Sequence, residues 1–283
     1  MYYLFLIGRV LASILPRNIC YSAAKFLATL HFYFSKKDRE AVIYNLSQVV
    51  KGKKDIEEQA KQVFINFSYY LVDFFRRHKL DYRFIKKYVQ ISNLENLNLS
   101  IAQSKGVIIL GAHLGNYELA GAITSLLGYP LSVIALPHKD KRLNRFFDHQ
   151  RHMSGMKVIS TGASVRGCIQ ALENKRLVAL LGDRNFSGKG LKVKMFSKYT
   201  YIPRGIAFFA LKTGAPITPV FLVREKNRNF YRLEYGEPIF YNKNDFQDEQ
   251  SLAKKYISIL EKYIKKYPGQ WYMFKKYWLN KDL

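Results

Sequence analysis

Residues 106–120 read Gly-Val-Ile-Ile-Leu-Gly-Ala-His-Leu-Gly-Asn-Tyr-Glu-Leu-Ala, and this stretch decides the fold. Its apolar run, Val107–Leu110, has the length and composition of a strand that is buried on both faces. The glycines from Gly111 to Gly115 interrupt the run, and a helical pattern follows them. The stretch therefore predicts a strand, a turn that carries His113, and a helix that begins beside that turn.

The polar residues of this turn predict a catalytic pair. Asn116 is suited to cap the helix, and Glu118 then lies in its first turn, where the helix dipole favours a carboxylate. The turn can fold His113 back onto Glu118, although a five-residue separation suits one continuous helix poorly. An imidazole can take a proton from a hydroxyl while a carboxylate fixes its tautomer. The same spacing also suits a purely structural hydrogen bond at a strand end.

The stretch contains no serine or cysteine that is placed as a nucleophile. The pair would therefore activate the hydroxyl of another molecule. The direct interpretation is one-step acyl transfer from a bound donor to a bound acceptor alcohol. On this hypothesis, replacing His113 or Glu118 by alanine removes activity and leaves the fold intact.

Strands alternate with helices on both sides of this stretch. Further strands are predicted over Leu131–Leu136, Val158–Ser160, Leu177–Leu181, Ile217–Arg224 and Phe230–Tyr235. Helical patterns separate most of them, and a long aromatic helix is predicted over Asp55–His78. We expect an α/β fold whose central, mostly parallel, mixed sheet is flanked by helices. Sites in such sheets lie at the carboxyl ends of strands, so His113 and Asp183 should lie at the same edge.

The charge of the chain indicates an anionic partner. Forty-six Lys and Arg residues against 21 Asp and Glu residues give a formal charge of +25. Nucleic acid is not the predicted partner, because the aromatic residues lie in apolar helical stripes rather than on a base-stacking surface. The sequence has no glycine-rich phosphate loop, and His138, His149 and His152 share no spacing with acidic or cysteine ligands. We therefore predict neither a nucleotide cofactor nor a metal.

Residues 1–34 are predicted to form helices at a membrane interface, ahead of a single α/β domain over residues 35–283. They are rich in apolar and aromatic side chains, and the basic residues Lys36, Lys37 and Arg39 follow them. The first apolar run ends well short of the roughly 20 residues that a spanning helix needs. In the alternative, Leu11, Phe26 and Leu30 pack into the domain core.

Several polar residues are candidates for substrate binding. Arginine matches phosphate in a bidentate way, so Arg145, Arg151 and Arg184 are candidates to hold a phosphate of the acceptor or the donor. Asn116 and Asp183 are the other candidates, because both follow a predicted strand. For the basic run that ends in Arg151, the alternative is a solvated helix face.

The order of these motifs resembles that of the late acyltransferases of lipid A biosynthesis, the lauroyl and myristoyl transferases, within the wider glycerolipid acyltransferase superfamily. The resemblance covers most of the chain. In chain order its motifs are Asn45-Leu46, His113 with Glu118, the basic segment ending in Arg151, Leu181-Gly182-Asp183, Pro203-Arg204-Gly205 through Gly214-Ala215-Pro216, and Pro268, Gln270, Trp271, Lys275 and Lys276.

This resemblance implies an enzyme at the cytoplasmic face of the inner membrane. It would move a fatty acyl chain from acyl carrier protein, or less often from coenzyme A, to a lipid hydroxyl, with no further cofactor. His113 would be the catalytic base and Glu118 its orienting carboxylate. The loop after Asp183 differs from that of better-known members, so the acceptor stays open among a lipid A precursor, a lysophospholipid, an aminolipid and another glycolipid. The alternative from a different class is a non-catalytic basic protein that binds anionic membranes.

Overall fold

The structure is a computed structural model that describes residues 2–50, 55–135, 139–160, 164–185, 190–225, 230–242, 246 and 248–279. The strands are β1 (Val89–Ser92), β2 (Val107–Gly111), β3 (Leu131–Ala135), β4 (Lys157–Ser160), β5 (Leu177–Leu181), β6 (Gly190–Met195), β7 (Lys198–Pro203), β8 (Ile217–Arg224) and β9 (Tyr231–Tyr235). The helices are α1 (Tyr2–Ile14), α2 (Arg17–Phe34), α3 (Lys36–Val49), α4 (Ile56–Phe75), α5 (Tyr82–Tyr88), α6 (Leu94–Ile101), α7 (Tyr117–Leu126), α8 (Lys141–His152), α9 (Ser164–Glu173), α10 (Gly205–Thr213) and α11 (Glu249–Lys266).

Seven strands form one sheet in the order β1–β9–β8–β2–β5–β3–β4. β2 lies at its centre and pairs in parallel with β5 on one side and β8 on the other. On the β5 side, β3 and β4 continue the parallel part of the sheet. On the other side, β9 pairs antiparallel with β8, and β1 pairs parallel with β9. The prediction of a mixed, mostly parallel α/β sheet is confirmed. β6 and β7 form a separate antiparallel hairpin.

Helices cover both faces of this sheet, which explains the continuous apolar sequence of β2. All five residues of β2 are buried, and alternate side chains of a strand point to opposite faces. Ile108 and Leu110 pack into a core shared with α3, α4, α10 and α11. Val107 and Ile109 pack into a second core shared with α6 and α7. The rigid centre of the molecule thus ends at Gly111, immediately before the turn that carries His113.

Three strands are absent from the sequence prediction. They are β1 and the two strands of the β6–β7 hairpin, in which buried Val193 and Met195 alternate with exposed lysines. Pro203 ends β7, and α10 begins two residues later, at Gly205. The end of the predicted strand at Leu136 lies outside the described residues.

The helices α1 and α2 pack on α4 by one side each. Their buried side chains include Ala12, Cys20, Tyr21, Ala28 and Phe32. Leu11, Phe26 and Leu30 are exposed, so the alternative in which these three fill the domain core is wrong. Among the described residues, no helix combines the length and the apolarity needed to cross a bilayer. The domain boundary at residue 34 and the attachment to a membrane stay predictions.

Candidate active site

The turn of residues 112–116 connects the end of β2 to the start of α7. The side-chain oxygen of Asn116 accepts a hydrogen bond from the Leu119 amide at 3.1 Å, so the predicted helix cap is confirmed. Gly115 has a φ of +63°, and a Cβ at this position would lie 2.1 Å from the carbonyl oxygen of Leu222 in β8. Only glycine fits this conformation and this close approach. The turn is therefore fixed against the neighbouring strand.

His113 contacts the carboxylate of Asp183. Its Nδ1 lies 2.9 Å from Oδ1, and its backbone amide donates to the same carboxylate at 3.1 and 3.0 Å. Strand register explains the meeting, because Gly111 of β2 pairs with Leu181 of β5 in parallel. Each residue of the pair lies two positions beyond its strand. The prediction that both lie at one edge of the sheet is confirmed.

The Asp183 carboxylate has no exposure to solvent and accepts a further hydrogen bond, at 3.0 Å, from the indole of Trp271. Burial raises the pKa of Asp183, but the charge of His113 and the surrounding hydrogen bonds outweigh it and hold the pKa below the ordinary value. An ionised carboxylate at Nδ1 favours the tautomer with its proton on that nitrogen. Nε2 is then the ring nitrogen whose lone pair can accept a proton.

The sequence prediction that Glu118 meets His113 is wrong. Glu118 accepts hydrogen bonds from Arg151, at 2.6 Å from Nη2 and 3.3 Å from Nε, and lies 3.6 Å from the Arg77 guanidinium. The first turn of α7 directs Glu118 towards these arginines, while strand register brings Asp183 to the imidazole. A catalytic role for Glu118 stays a prediction, but it does not orient Nδ1.

The carboxylate of Glu118 compensates the positive charges of two largely buried arginines. The side chain of Arg77 is 1% exposed, and that of Arg151 is 14% exposed. Burial raises the pKa of Glu118, but the charges of Arg151 and Arg77 outweigh it and lower that pKa. Burial lowers the pKa of Arg77, and the charge of Glu118 opposes this shift. The second carboxylate on Arg151 is Asp148, at 3.4 Å, and it is 40% exposed.

The remaining predicted site residues divide between this centre and the surface. Asn116 is buried, and its amide nitrogen lies 3.4 Å from Asp73. Arg184 is half-buried directly after Asp183, whereas Arg145 is exposed on α8. The carboxylate of Asp183 contacts His113 and Trp271. The predicted substrate contacts of all these residues stay predictions.

The sequence prediction missed the part that the end of the chain plays in this site. Besides the Trp271 indole, the amide of Tyr272 donates to the carbonyl of His113 at 2.8 Å. The side chain of Gln270 forms two hydrogen bonds with the backbone of Arg224 in β8: it accepts one from the amide and donates one to the carbonyl. The sequence signal was the aromatic segment around Trp271, which local patterning alone does not connect with His113. Arg77 was missed as well, because it follows an aromatic stripe that indicates only core packing.

Among the described residues, no three His, Cys, Asp or Glu side chains converge as a metal site would require. His149 and His152 lie on α8, and His138 lies outside the described residues. What the arrangement offers chemically is an imidazole that is oriented by an ionised carboxylate at the carboxyl edge of a parallel sheet.

A profile of the family described as bacterial lipid A biosynthesis acyltransferase matches residues 1–280. The chain belongs to this family. The match includes the His113 turn, Asp183 and the terminal aromatic segment. Membership decides against the alternative of a non-catalytic binding protein, and the chain is an O-acyltransferase.

Relatives of this acyltransferase act on more than one kind of lipid, as their names state. The phosphatidylinositol mannoside acyltransferase of Mycolicibacterium smegmatis is 24% identical over 241 residues, which cover 83% of this chain and 78% of the relative. The protein of the same name from Mycobacterium tuberculosis is 25% identical over 160 residues, 54% of this chain and 51% of the relative. The lipid A biosynthesis palmitoleoyltransferase of Escherichia coli is 24% identical over 190 residues, 66% of this chain and 60% of the relative.

The balance of charge around Glu118 predicts that Glu118→Ala destabilises this acyltransferase, contrary to the expectation from sequence. Removing one partner of a buried ion pair typically costs about 3–5 kcal/mol, because the remaining charge is left uncompensated. Asp148→Ala removes the exposed carboxylate from the same Arg151 and should cost at most about 1 kcal/mol. Urea denaturation of both variants measures the difference, and equal free energies of unfolding would contradict the assignment.

Proposed function

We propose that this acyltransferase moves a fatty acyl chain from acyl carrier protein, or less often from coenzyme A, to a hydroxyl of a lipid A precursor or a related glycolipid. The observation that carries the proposal is the His113–Asp183 pair, which lies at the strand ends in a chain of this family. The proposal places the enzyme at the cytoplasmic face of the inner membrane.

In the proposed reaction, Nε2 of His113 takes the proton of the acceptor hydroxyl as its oxygen attacks the thioester carbonyl of the donor. A new carbon–oxygen bond forms, the carbon–sulfur bond breaks, and the imidazolium returns the proton to the departing thiolate. Asp183 holds the imidazole in place and stabilises its transient positive charge. This sequence balances without any cofactor beyond the acyl donor.

Direct transfer between the two substrates is favoured over an acyl-enzyme. The 112–116 turn contains neither serine nor cysteine. Cys20 and Cys168 are both buried, and burial raises the pKa of Cys168 to about 11. A thiol in that environment stays protonated and is a poor nucleophile. The acceptor hydroxyl is therefore the nucleophile of the proposed mechanism.

The proposed acceptor is a glycolipid because both kinds of relative are named for one. The mannoside acyltransferase of M. smegmatis aligns with more of this chain than the E. coli palmitoleoyltransferase does. The family description points to lipid A. A lipid A precursor is therefore the first candidate, and a phosphorylated glycolipid of another type is the second.

A basic groove supports an anionic donor. Lys36 and Lys37 of α3 line a cavity of about 540 Å³ together with Lys275 and Lys276. Buried Asn45 joins α3 to the segment of residues 273–277, since it donates to the carbonyls of Met273 and Lys275 and accepts from the Tyr277 amide. Lys275 lies three residues after Tyr272, roughly 10 Å of extended chain from the carbonyl of His113. An acidic carrier or a phosphate of coenzyme A suits this groove.

The N-terminal apolar face supports a membrane location. We give this name to the exposed side chains Leu4, Ile7, Leu11, Ile14, Ile19, Phe26, Leu27 and Phe34 of α1 and α2. Exposed apolar side chains are concentrated on these two helices, and large exposed apolar patches are typical of interaction sites. An amphipathic helix can lie in the plane of a bilayer without crossing it, and basic residues beside it attract anionic lipids. Both features suit an enzyme whose acceptor and product are lipids.

The first test replaces the two members of the proposed catalytic pair. His113→Ala should lower kcat/KM by about 100-fold to 10,000-fold, because a positioned base is lost. Asp183→Asn should lower kcat by at least about 100-fold, because an amide leaves the imidazolium without its compensating charge. Asp148→Asn, a change in an exposed carboxylate, is the control and should retain nearly full activity. Mass spectrometry of acylated acceptor, with acyl carrier protein and coenzyme A as alternative donors, provides the measurement.

Wild-type turnover by folded His113→Ala protein would refute the proposed mechanism. The donor assignment fails if neither thioester supports transfer. Comparing the lipids of cells with and without the gene then identifies the acceptor, since the product carries one acyl chain more.

The second test concerns the N-terminal apolar face. Burying a Phe or Leu side chain in an apolar phase is worth about 1.5–3 kcal/mol. The double variant Phe26→Ser/Leu27→Ser should therefore bind vesicles of phosphatidylcholine and phosphatidylglycerol at least about tenfold more weakly in a flotation assay. Leu99→Ser is the control, because Leu99 is 54% exposed, close to the 63% of Phe26 and Leu27, but lies on α6. If the double variant floats as wild type does, the proposed attachment is wrong.

A further inference from the structure

A second basic cavity lies at the elbow where α1 ends and α2 begins. It has a volume of about 280 Å³ and is lined by Arg17, Arg76, Lys79, Arg83 and Lys87, with Phe84 and Tyr88 among its other lining residues. The elbow is held by two of these residues. Arg76 donates to the carbonyls of Ala12 and Leu15, and Lys79 donates to the carbonyl of Ser13. We call this cavity the elbow pocket.

The charge of the elbow pocket is strongly unbalanced. Its walls carry five basic side chains and two carboxylates. Both carboxylates are engaged, since Asp81 caps α5 through the Phe84 amide and Asp73 accepts hydrogen bonds from the Tyr21 and Tyr231 hydroxyls. Neither forms an ion pair with Arg83 or Lys87, and no other carboxylate in the described part of the chain does. Asp73 pairs with Arg17, so the positive charge that the pocket offers an anion comes chiefly from Arg76, Lys79, Arg83 and Lys87.

Arg17 makes one wall of the elbow pocket rigid. Its side chain is 9% exposed, and its guanidinium lies 3.5 Å from Asp73 and 4.4 Å from the ring centroid of Tyr88. The Tyr21 hydroxyl accepts from its Nη2 at 2.6 Å. A guanidinium that is already held by its neighbours loses little conformational freedom when a ligand binds. Such a cation is suited to a tetrahedral anion such as phosphate.

The elbow pocket lies between the N-terminal apolar face and the His113 turn. Ile14 and Ile19, on either side of the elbow, are 74% and 51% exposed and belong to that face. On the inner side the pocket is lined by Leu119 of α7 and by Asp73, which lies 3.4 Å from the amide nitrogen of Asn116. Asn116 is three residues from His113. In a lipid, a phosphate likewise lies between the acyl chains and the outer head group.

We propose that the elbow pocket binds the phosphate of a membrane lipid and so positions a lipid head group relative to His113. This inference rests on the proposed function, because only a lipid-modifying enzyme needs such a position. The phosphate can belong to the acceptor itself or to a neighbouring anionic lipid of the bilayer. The two sources share one chemistry, and the experiment separates them.

The test compares basic residues of one short helix. Arg83→Ala and Lys87→Ala each remove a lining charge, whereas Lys86→Ala removes an exposed charge of the same helix that does not line the pocket. The probe is soluble dihexanoyl phosphatidic acid, titrated against the full-length protein. A basic residue near lipid phosphate is worth about 1 kcal/mol, so each lining variant should weaken binding about fivefold. Lys86→Ala should change the affinity less than twofold. If Arg83→Ala and Lys87→Ala both bind the probe with the same affinity as Lys86→Ala, the proposal is wrong.

Acyl-transfer assays then identify the source of the phosphate. If the acceptor supplies it, Arg83→Ala raises the KM for phosphorylated acceptor in uncharged detergent and leaves the KM for dephosphorylated acceptor unchanged. If the bilayer supplies it, Arg83→Ala lowers activity only on vesicles that contain phosphatidic acid. The binding measurement requires no acyl transfer. The titration can therefore disprove phosphate binding at the elbow pocket without bearing on the proposed function. The proposed function is tested separately by the activity of His113→Ala.

Discussion

The carboxylate of Asp183 is the point on which the arrangement of the active site depends. It has no contact with solvent and accepts from the amide of His113 and the indole of Trp271, while its Oδ1 lies against the imidazole. Burying an ionised carboxylate without such partners costs several kcal/mol, so these donors are needed for the folded state itself. The same contacts join the ends of β2 and β5 to the end of the chain. The geometry of the proposed catalytic pair and the stability of the fold are therefore coupled at one residue.

Three networks hold the start of α7 from different sides. Asp183 fixes the turn before it, and Arg77 and Arg151 hold Glu118 in its first turn. On the third side Asp73 contacts the cap residue Asn116 and also Tyr21 of α2. The helices that carry the N-terminal apolar face are thus connected to the His113 turn through a buried carboxylate. A membrane-bound orientation of those helices would set the position of His113 relative to the bilayer.

Much of the fold was predictable because its strongest signals are local. The continuous apolar sequences of β2, β5 and β8 gave their positions, and the cap at Asn116 followed from its place before an apolar helix. The identity of the carboxylate on His113 was not predictable in this way. It depends on β2 pairing with β5, which brings together residues 70 positions apart, whereas Glu118 was near in sequence. The roles of Arg77 and Trp271 were missed for the same reason, since both act through contacts between distant segments.

The central claim is that Asp183, and not Glu118, orients the imidazole of His113. The most direct measurement is the ¹⁵N and ¹H NMR spectrum of protein labelled at histidine nitrogen, recorded at a pH where His113 is neutral. The account predicts a proton on Nδ1 of His113, shifted strongly downfield by its hydrogen bond, that persists in Glu118→Gln and is lost in Asp183→Asn. A neutral imidazole with its proton on Nε2, or an Nδ1 proton that is lost in Glu118→Gln and retained in Asp183→Asn, would contradict it.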